Sequence, residues 1–352
     1  MNTEAITGCI LGTAVGDALG LPFEGLSPKR SARLFKDKSR HHFLFGKGMV
    51  SDDTEHTCIV AQAIIASAGA PEQFTRQLSR RFRFWLLGLP AGVGFATLRS
   101  IMKLWMGFSP AKSGVFSAGN GPAMRCGVIG VCYGDDDEKL KTLVRSATVI
   151  SHTDPKAYYG ALAVAVAAHM GAVSSSVDGT AFRARLKHLL SDEDAGEFLT
   201  LVNDAVQSVE QGSTTEEFLQ SQNLQNGISG YIYHTVPAVI HAWLVNTGDF
   251  RKALLDIINC GGDTDTTGAI LGAIVGSAVG KEGIPQEWID DLIEWPRTSA
   301  WMESLSHQLA ETVRTSRAAR PIRLPVLGVV LRNLLFMLIV LFHGFRRLLP
   351  PY

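Results

Sequence analysis

Apolar positions along this chain recur at helical spacing, and in two runs glycine takes over one face. Residues 5–21 (AITGCILGTAVGDALGL) place it at Gly8, Gly12, Gly16 and Gly20; residues 268–280 (GAILGAIVGSAVG) place it at Gly268, Gly272, Gly276 and Gly280. Residues four apart share a helix face, so each run predicts a helix whose bare stripe lets a neighbouring backbone approach closely. Asp17 in the first run and the 13-residue length of the second argue against a membrane-dimerisation stripe, which needs ~20 apolar residues. Both read as buried helices of a soluble body. The helical period continues through 54–68, 72–87, 97–106, 156–172, 181–190, 194–209, 229–245 and 249–259, stretches bounded by Gly, Pro, Ser or Asp. Convincing strand alternation is absent. The stretch 114–134 is glycine-rich and reads as less regular, with Gly119-Asn120-Gly121-Pro122 as its tightest turn signal.

After about Trp301 the pattern changes to a polar helix-like stretch (302–320), then Pro321 and a strongly apolar tail. Val326–Phe345 has the length and the flanking arginines (Arg323, Arg346, Arg347) of a membrane span, although Arg332 and Asn333 lie inside it. It can span, lie in the interface or dock on the body. A basic, apolar terminus on an acidic body favours membrane contact through 321–352. All 33 acidic residues but only 26 of the 33 basic ones lie at or before Glu311, so residues 1–311 carry a net charge of −7. Such a body argues against nucleic acid as a partner. At 352 residues, 46% hydrophobic and 19% charged, the chain can bury a substantial core. Cys9, Cys58, Cys126, Cys132 and Cys260 sit among apolar or small residues without a C-x-x-C pair, which reads as free thiols in a reducing compartment. The N-terminus lacks a basic signal region, so a cytoplasmic body is expected.

Two acidic clusters stand out against this background: Ser51-Asp52-Asp53-Thr54, and Gly261-Gly262-Asp263-Thr264-Asp265-Thr266-Thr267-Gly268, each running directly into an apolar helix. Singly, each reads first as a helix cap, with Asp52 and Glu55 forming an acceptable capping box. Together they offer more oxygen ligands than a cap can use. If the glycine-faced helices pack, the clusters meet, and two like charges ~4 Å apart repel by about 4 kcal/mol at an effective dielectric of 20. Carboxylates and hydroxyls without thiolate or imidazole suit Mg²⁺ or Mn²⁺ better than Zn²⁺. No P-loop, G-x-S-x-G, H-E-x-x-H or Rossmann glycine motif is present. His152, in His152-Thr153-Asp154-Pro155, is a candidate base, with a helix start as the plainer reading of Asp-Pro. Glu24 follows an apolar run in a setting that can raise its pKa and suit it to general acid or base work, with a surface-loop glutamate as the plainer reading.

These segments, GxxxGxxxGDALGLPFEG (8–25), SDDT (51–54), SAGNGPAMR (117–125), SHTDP (151–155) and GGDTDTTGAILGA (261–273), resemble in order those of the ADP-ribosylglycohydrolases, relatives of the dinitrogenase-reductase-activating glycohydrolase. The resemblance covers roughly residues 5–300. It implies an all-α orthogonal bundle holding two Mg²⁺ or Mn²⁺ ions in a cleft, here as a catalytic domain over 1–300 with a basic, apolar extension over 301–352 ending in an extra helix. By that resemblance Ser51, Asp52, Asp53, Asp263, Asp265 and Thr266 are metal ligands, Ser51 standing where many relatives have Thr. Glu24 and Asp53 are the catalytic residues, and Gly119, Asn120, Gly121, Met124 and His152 contact the ADP-ribose. The implied activity is release of ADP-ribose from a modified protein side chain, arginine favoured. A rival reading is an immunity protein that binds and blocks an ADP-ribosyltransferase toxin as well as reversing its modification. A metal-dependent phosphoesterase would leave SAGNGPAMR unexplained.

Overall fold

The computed structural model describes residues 2–174 and 177–347. Every regular element among them is helical, with only isolated backbone bridges between loops. At the centre lie the two glycine-faced helices, Thr3–Gly20 and Thr264–Val279, buried along nearly their whole length. They run antiparallel with glycine against glycine. A Cβ built on Gly8 would stand 2.0 Å from the Gly276 carbonyl oxygen, one on Gly12 2.1 Å from that of Gly272, and one on Gly16 2.0 Å from that of Gly268. No side chain fits there, so the four-residue spacing dictates the contact. The pairing carries Asp17 and the 263–268 cluster toward each other at one end of the pair.

Around this pair pack the helices Asp52–Ser67, Gly121–Tyr133, Pro155–Val173 and Ile232–Val245. The core they share is largely Ala, Val, Ile and Leu with Phe23, Phe74, Phe82, Trp243 and Trp288 among its larger side chains. The stretch expected to be irregular, 114–134, is instead mostly the regular helix Gly121–Tyr133. Its internal glycines serve packing rather than turning: a Cβ on Gly130 would meet the Ala165 carbonyl oxygen at 1.8 Å. The five cysteines are free and buried, as their apolar settings predicted.

The helix Ser299–Thr315, grouped by its composition with the extension, buries Met302, Leu305 and Leu309 in the central core. The tail helix Val326–Arg346 is docked on the body, which was the less favoured of its expected placements. Phe336 and Ile339 cluster with Leu21, Phe43 and Met49, and the Phe336 and Phe43 rings stack at 5.2 Å. Arg332 enters a buried set of two carboxylates and two guanidiniums. Its Nε lies 2.7 Å from Glu294 Oε1, and Arg297 Nη1 lies 2.9 Å from Glu55 Oε1. The two apolar helices long enough to cross a membrane thus differ in setting. The most apolar stretch of Thr3–Phe23 is wholly buried, whereas only 28% of the tail helix's is.

Candidate active site

Four loop segments converge at the end of the glycine-faced pair, and backbone bonds stitch them together. Gly25 N–H donates to Gly262 O at 2.7 Å, Gly262 N–H to Leu26 O at 2.8 Å, Asp263 N–H to Ile228 O at 2.7 Å and Asn120 N–H to Gly230 O at 3.0 Å. Gly262 has φ +85°, and a Cβ there would strike Ile228 O at 2.0 Å. Only glycine satisfies both conditions. This is why two glycines precede Asp263.

Every site residue expected from the sequence lines one cleft of about 360 Å³: Glu24, Ser51, Asp52, Asp53, Gly119, Asn120, Gly121, Met124, His152, Asp263, Asp265 and Thr266. The cap reading of the two clusters does not account for them. Ser51, not Asp52, is the N-cap of Asp52–Ser67, and Glu55 turns inward to Arg297 and Trp85 rather than back to the helix start. Asp263 occupies the N-cap position of Thr264–Val279 yet makes no capping bond. Its Oδ2 accepts from Asn120 Nδ2 at 2.6 Å instead, and Asn120 is itself held by Thr235 Oγ1 at 3.0 Å.

The clusters meet through Asp53, whose Oδ2 accepts from Ser51 Oγ at 2.9 Å and from Thr266 Oγ1, 213 residues away, at 3.2 Å. Asp53 Oδ1 is buried with no hydrogen-bond partner. Carboxylate oxygens of Glu24, Asp263 and Asp265 lie within 4.8 Å of one another. Burial, then the charges of neighbouring carboxylates, pushes Asp52, Asp53 and Asp265 well above the ordinary carboxyl range. Glu24 is pushed up too, by enclosure within the cleft and then by Asp263, against a smaller opposing pull from Arg347. A set of oxygen donors crowded until they resist ionisation, with one buried donor unsatisfied, fits a hard divalent cation.

Asp17 organises the site from behind, a role that its sequence setting did not reveal. Fully buried, it accepts from Ser51 N–H at 3.0 Å, Thr54 N–H at 3.1 Å and Thr54 Oγ1 at 2.5 Å, fixing the loop that presents Asp52 and Asp53. Burial lifts its pKa to about 7 despite those bonds. The one signal was its isolation in an apolar helix, where a carboxylate without a task is costly. His152 sits beneath the glycine turn: a Cβ on Gly119 would stand 3.1 Å from His152 Nε2. Burial, then the Arg125 charge, drives the His152 pKa down to about 3, so its ring is neutral. A neutral ring there can hydrogen-bond without carrying charge, and its Nδ1 lies 2.8 Å from Ser151 Oγ. Phe336 and Val340 of the tail helix complete the cleft lining, and Arg347 donates to Glu24 O at 2.8 Å and Pro22 O at 2.9 Å. A larger groove of about 960 Å³, lined by Lys29, Lys38, Lys252 and Cys260 among others, contains none of these site residues.

An all-α body with a crowded all-oxygen acidic cleft is an arrangement able to hold a metal ion. The chain belongs to the ADP-ribosylglycohydrolase family, whose model matches residues 2–319. It is 26% identical over 293 residues to the ADP-ribosyl-[dinitrogen reductase] glycohydrolase of Rhodospirillum rubrum, covering 81% of this chain and 89% of that protein. To the ADP-ribosylhydrolase ARH3 of Gallus gallus it is 25% identical over 347 residues, covering 86% and 92%. A solved structure titled ADP-ribosylglycohydrolase-related protein complex shares the fold, with a TM-score of 0.60 at 23% identity over 90% of this chain and 99% of that one. The reaction that the family is named for is hydrolysis of an ADP-ribosyl glycosidic bond, and the tail helix lies beyond the matched region.

Proposed function

We propose that this protein releases ADP-ribose from a modified protein side chain, with divalent Mg²⁺ or Mn²⁺ held by Ser51, Asp52, Asp53, Asp263, Asp265 and Thr266. The observation that carries the reading is the meeting of the two clusters at Asp53 Oδ2, bonded at once by Ser51 and Thr266. Two bound ions would supply Lewis-acid chemistry at the distal ribose and a water of lowered pKa. Asn120 holds the Asp263 carboxylate, and Asp17 holds the 51–54 loop, so that the donor oxygens stay aimed without metal. Glu24 at the open side of the cleft, its pKa raised, suits transfer of a proton to or from the reacting oxygen or nitrogen. The turn 119–121 offers backbone N–H groups that can approach a pyrophosphate closely. Phe336 and Val340 cover the apolar side of the cleft. An arginine-linked substrate is the favoured one, by the likeness to the ADP-ribosyl-[dinitrogen reductase] glycohydrolase.

Asp53→Asn tests the reading. ADP-ribose release from arginine-modified protein should fall by at least about a thousandfold. The rise in melting temperature on adding Mg²⁺ or Mn²⁺, expected of the wild type, should vanish. Full activity in the variant, or no cation-dependent shift in the wild type, overturns the metal-centred account. The same assay with serine-modified protein sets the linkage. No feature of the structure favours blocking of a toxin; protection of cells by an Asp52→Ala/Asp265→Ala variant would bring that role forward.

A further inference from the structure

The tail helix inverts the ordinary arrangement of a surface helix. Its polar side chains turn inward: Arg332 donates to Glu294 and Val50 O, Asn333 to Gly88 O, and His343 reaches Phe43 O. Outward, along one face, stand Leu327, Leu331, Leu334, Leu338, Phe342 and Phe345, with Leu327 71% and Leu338 65% exposed. Arg332 is the only charged residue from Val326 through Phe345, so none lies on that face. A helix face in water carries polar residues, and a face that pairs with another helix carries charges beside its apolar seam. This face has neither.

Exposed cations stand at both of its ends. At the C-terminal end Arg346 is exposed. At the other, a groove of about 620 Å³ is lined by Arg80, Arg81, Arg320 and Arg323, by Val329 of the tail helix itself, and by no carboxylate. The arginines there crowd one another: burial, then the charges of Arg80 and Arg323, pulls the Arg81 pKa down to about 10. A cationic groove beside an uncharged apolar face is complementary to one surface in particular, a sheet of phosphates over hydrocarbon.

We propose that the outward face of the tail helix lies in the surface of an anionic lipid bilayer. Its leucine and phenylalanine side chains enter the acyl layer, while the arginines at its ends contact lipid phosphates. The helix lies flat rather than spanning, because its inner face is committed to the body through Arg332, Asn333 and Phe336.

Sedimentation of the full chain with phosphatidylcholine vesicles, with and without phosphatidylglycerol, tests this. The wild type should bind the anionic vesicles strongly and the neutral ones weakly. Leu331→Glu/Leu338→Glu should lose at least about tenfold in affinity for anionic vesicles, and Leu338→Ser an intermediate amount. Arg320→Gln/Arg323→Gln should lose about tenfold at low salt and less at high salt. All of these positions are exposed, so each variant should melt as the wild type does. Absence of vesicle binding, or equal binding by the variants, overturns the proposal. So does a wild-type dimer in solution that Leu331→Glu/Leu338→Glu converts to monomer without any vesicle binding, which would put a second copy of the chain on this face.

Discussion

Replacing Gly16 by alanine puts the central contact to the test. The added Cβ would stand 2.0 Å from Gly268 O and 2.5 Å from Gly268 C, where ordinary contact begins at 3.4 Å. The helices must therefore separate by roughly 1.4 Å along that line, in an interior packed as densely as an organic crystal. Because the obstructing atoms are backbone and cannot rotate away, the cost lies near the upper end for overpacking, about 3 kcal/mol. Alanine returns about 1 kcal/mol through its better helix propensity. The net loss of about 2 kcal/mol corresponds to a fall in melting temperature of roughly 3 °C for a chain of this size. The effect on activity should be larger than stability alone explains. Gly16 adjoins Asp17, and Gly268 lies two residues past Thr266, so the displacement pulls apart groups joined at 3.0 and 3.2 Å. A misplacement near 1 Å can cost ~100-fold in rate. Thermal denaturation by circular dichroism and ADP-ribose release measured on the same preparations give both numbers. Gly196→Ala, whose Cβ meets nothing within 4 Å, serves as the control and should not lower stability. A Gly16→Ala protein that melts and turns over like wild type would refute the packing argument.

Arg332→Met removes one of two guanidiniums from the buried set with Glu55 and Glu294 and should cost about 3–5 kcal/mol; an unchanged denaturation midpoint would contradict that. His241 is buried between Thr215 and Ser208 and stacked on Phe218, and burial depresses its pKa from 6.5 to about 4. The unfolded chain therefore takes up this proton first, so stability is complete above the unfolded pKa and is lost as pH falls through that window. His241→Gln should lose less stability than wild type between pH 6.5 and 4, and parallel unfolding profiles of the two proteins would exclude the effect. Val340→Trp, filling part of the cleft from the tail side, should raise KM at least about tenfold with the melting temperature little changed; an unaltered KM would show that substrate does not reach that wall.

Where spacing alone encodes the contact, the sequence was sufficient. Glycine every fourth residue specifies a stripe whatever surrounds it, and two such stripes can meet backbone to backbone along their whole length. The SDDT and GGDTDTTG clusters were legible for a related reason, since their excess of oxygen donors exceeds what a helix start needs. What could not be read was direction. Glu55 looks like the partner of a capping box at its spacing from Asp52, and only the fold turns it inward to Arg297. The glycines of 114–134 suggested a less regular stretch because a helix stripe and a flexible loop share their composition; over 121–133 the close approach of Ala165 decides for the helix. Hydropathy marked the tail as apolar without saying that Arg332, Asn333 and His343 would all face the body.

Asp53 and Glu55 make the same point about charge in two residues of one helix. Both carboxylates are buried. Burial opposes ionisation of Glu55, but the Arg297 and Arg332 guanidiniums and the Trp85 N–H hold it below its ordinary value. Asp53 faces the other way, where burial is compounded by Asp17, Asp52 and Asp263, and its pKa is driven far up. The chain thus neutralises one buried acidic group with its own arginines, while the other faces a cleft whose nearest charges repel it. Leaving a cluster of buried carboxylates without counter-charge is strongly destabilising unless protons or external cations supply it. A fold that balances Glu55 and Glu294 two against two has the means to do likewise a few ångströms away. That it packs neutral Asn120 against Asp263 instead, and hydroxyls against Asp53, keeps the site competent to take its positive charge from solution.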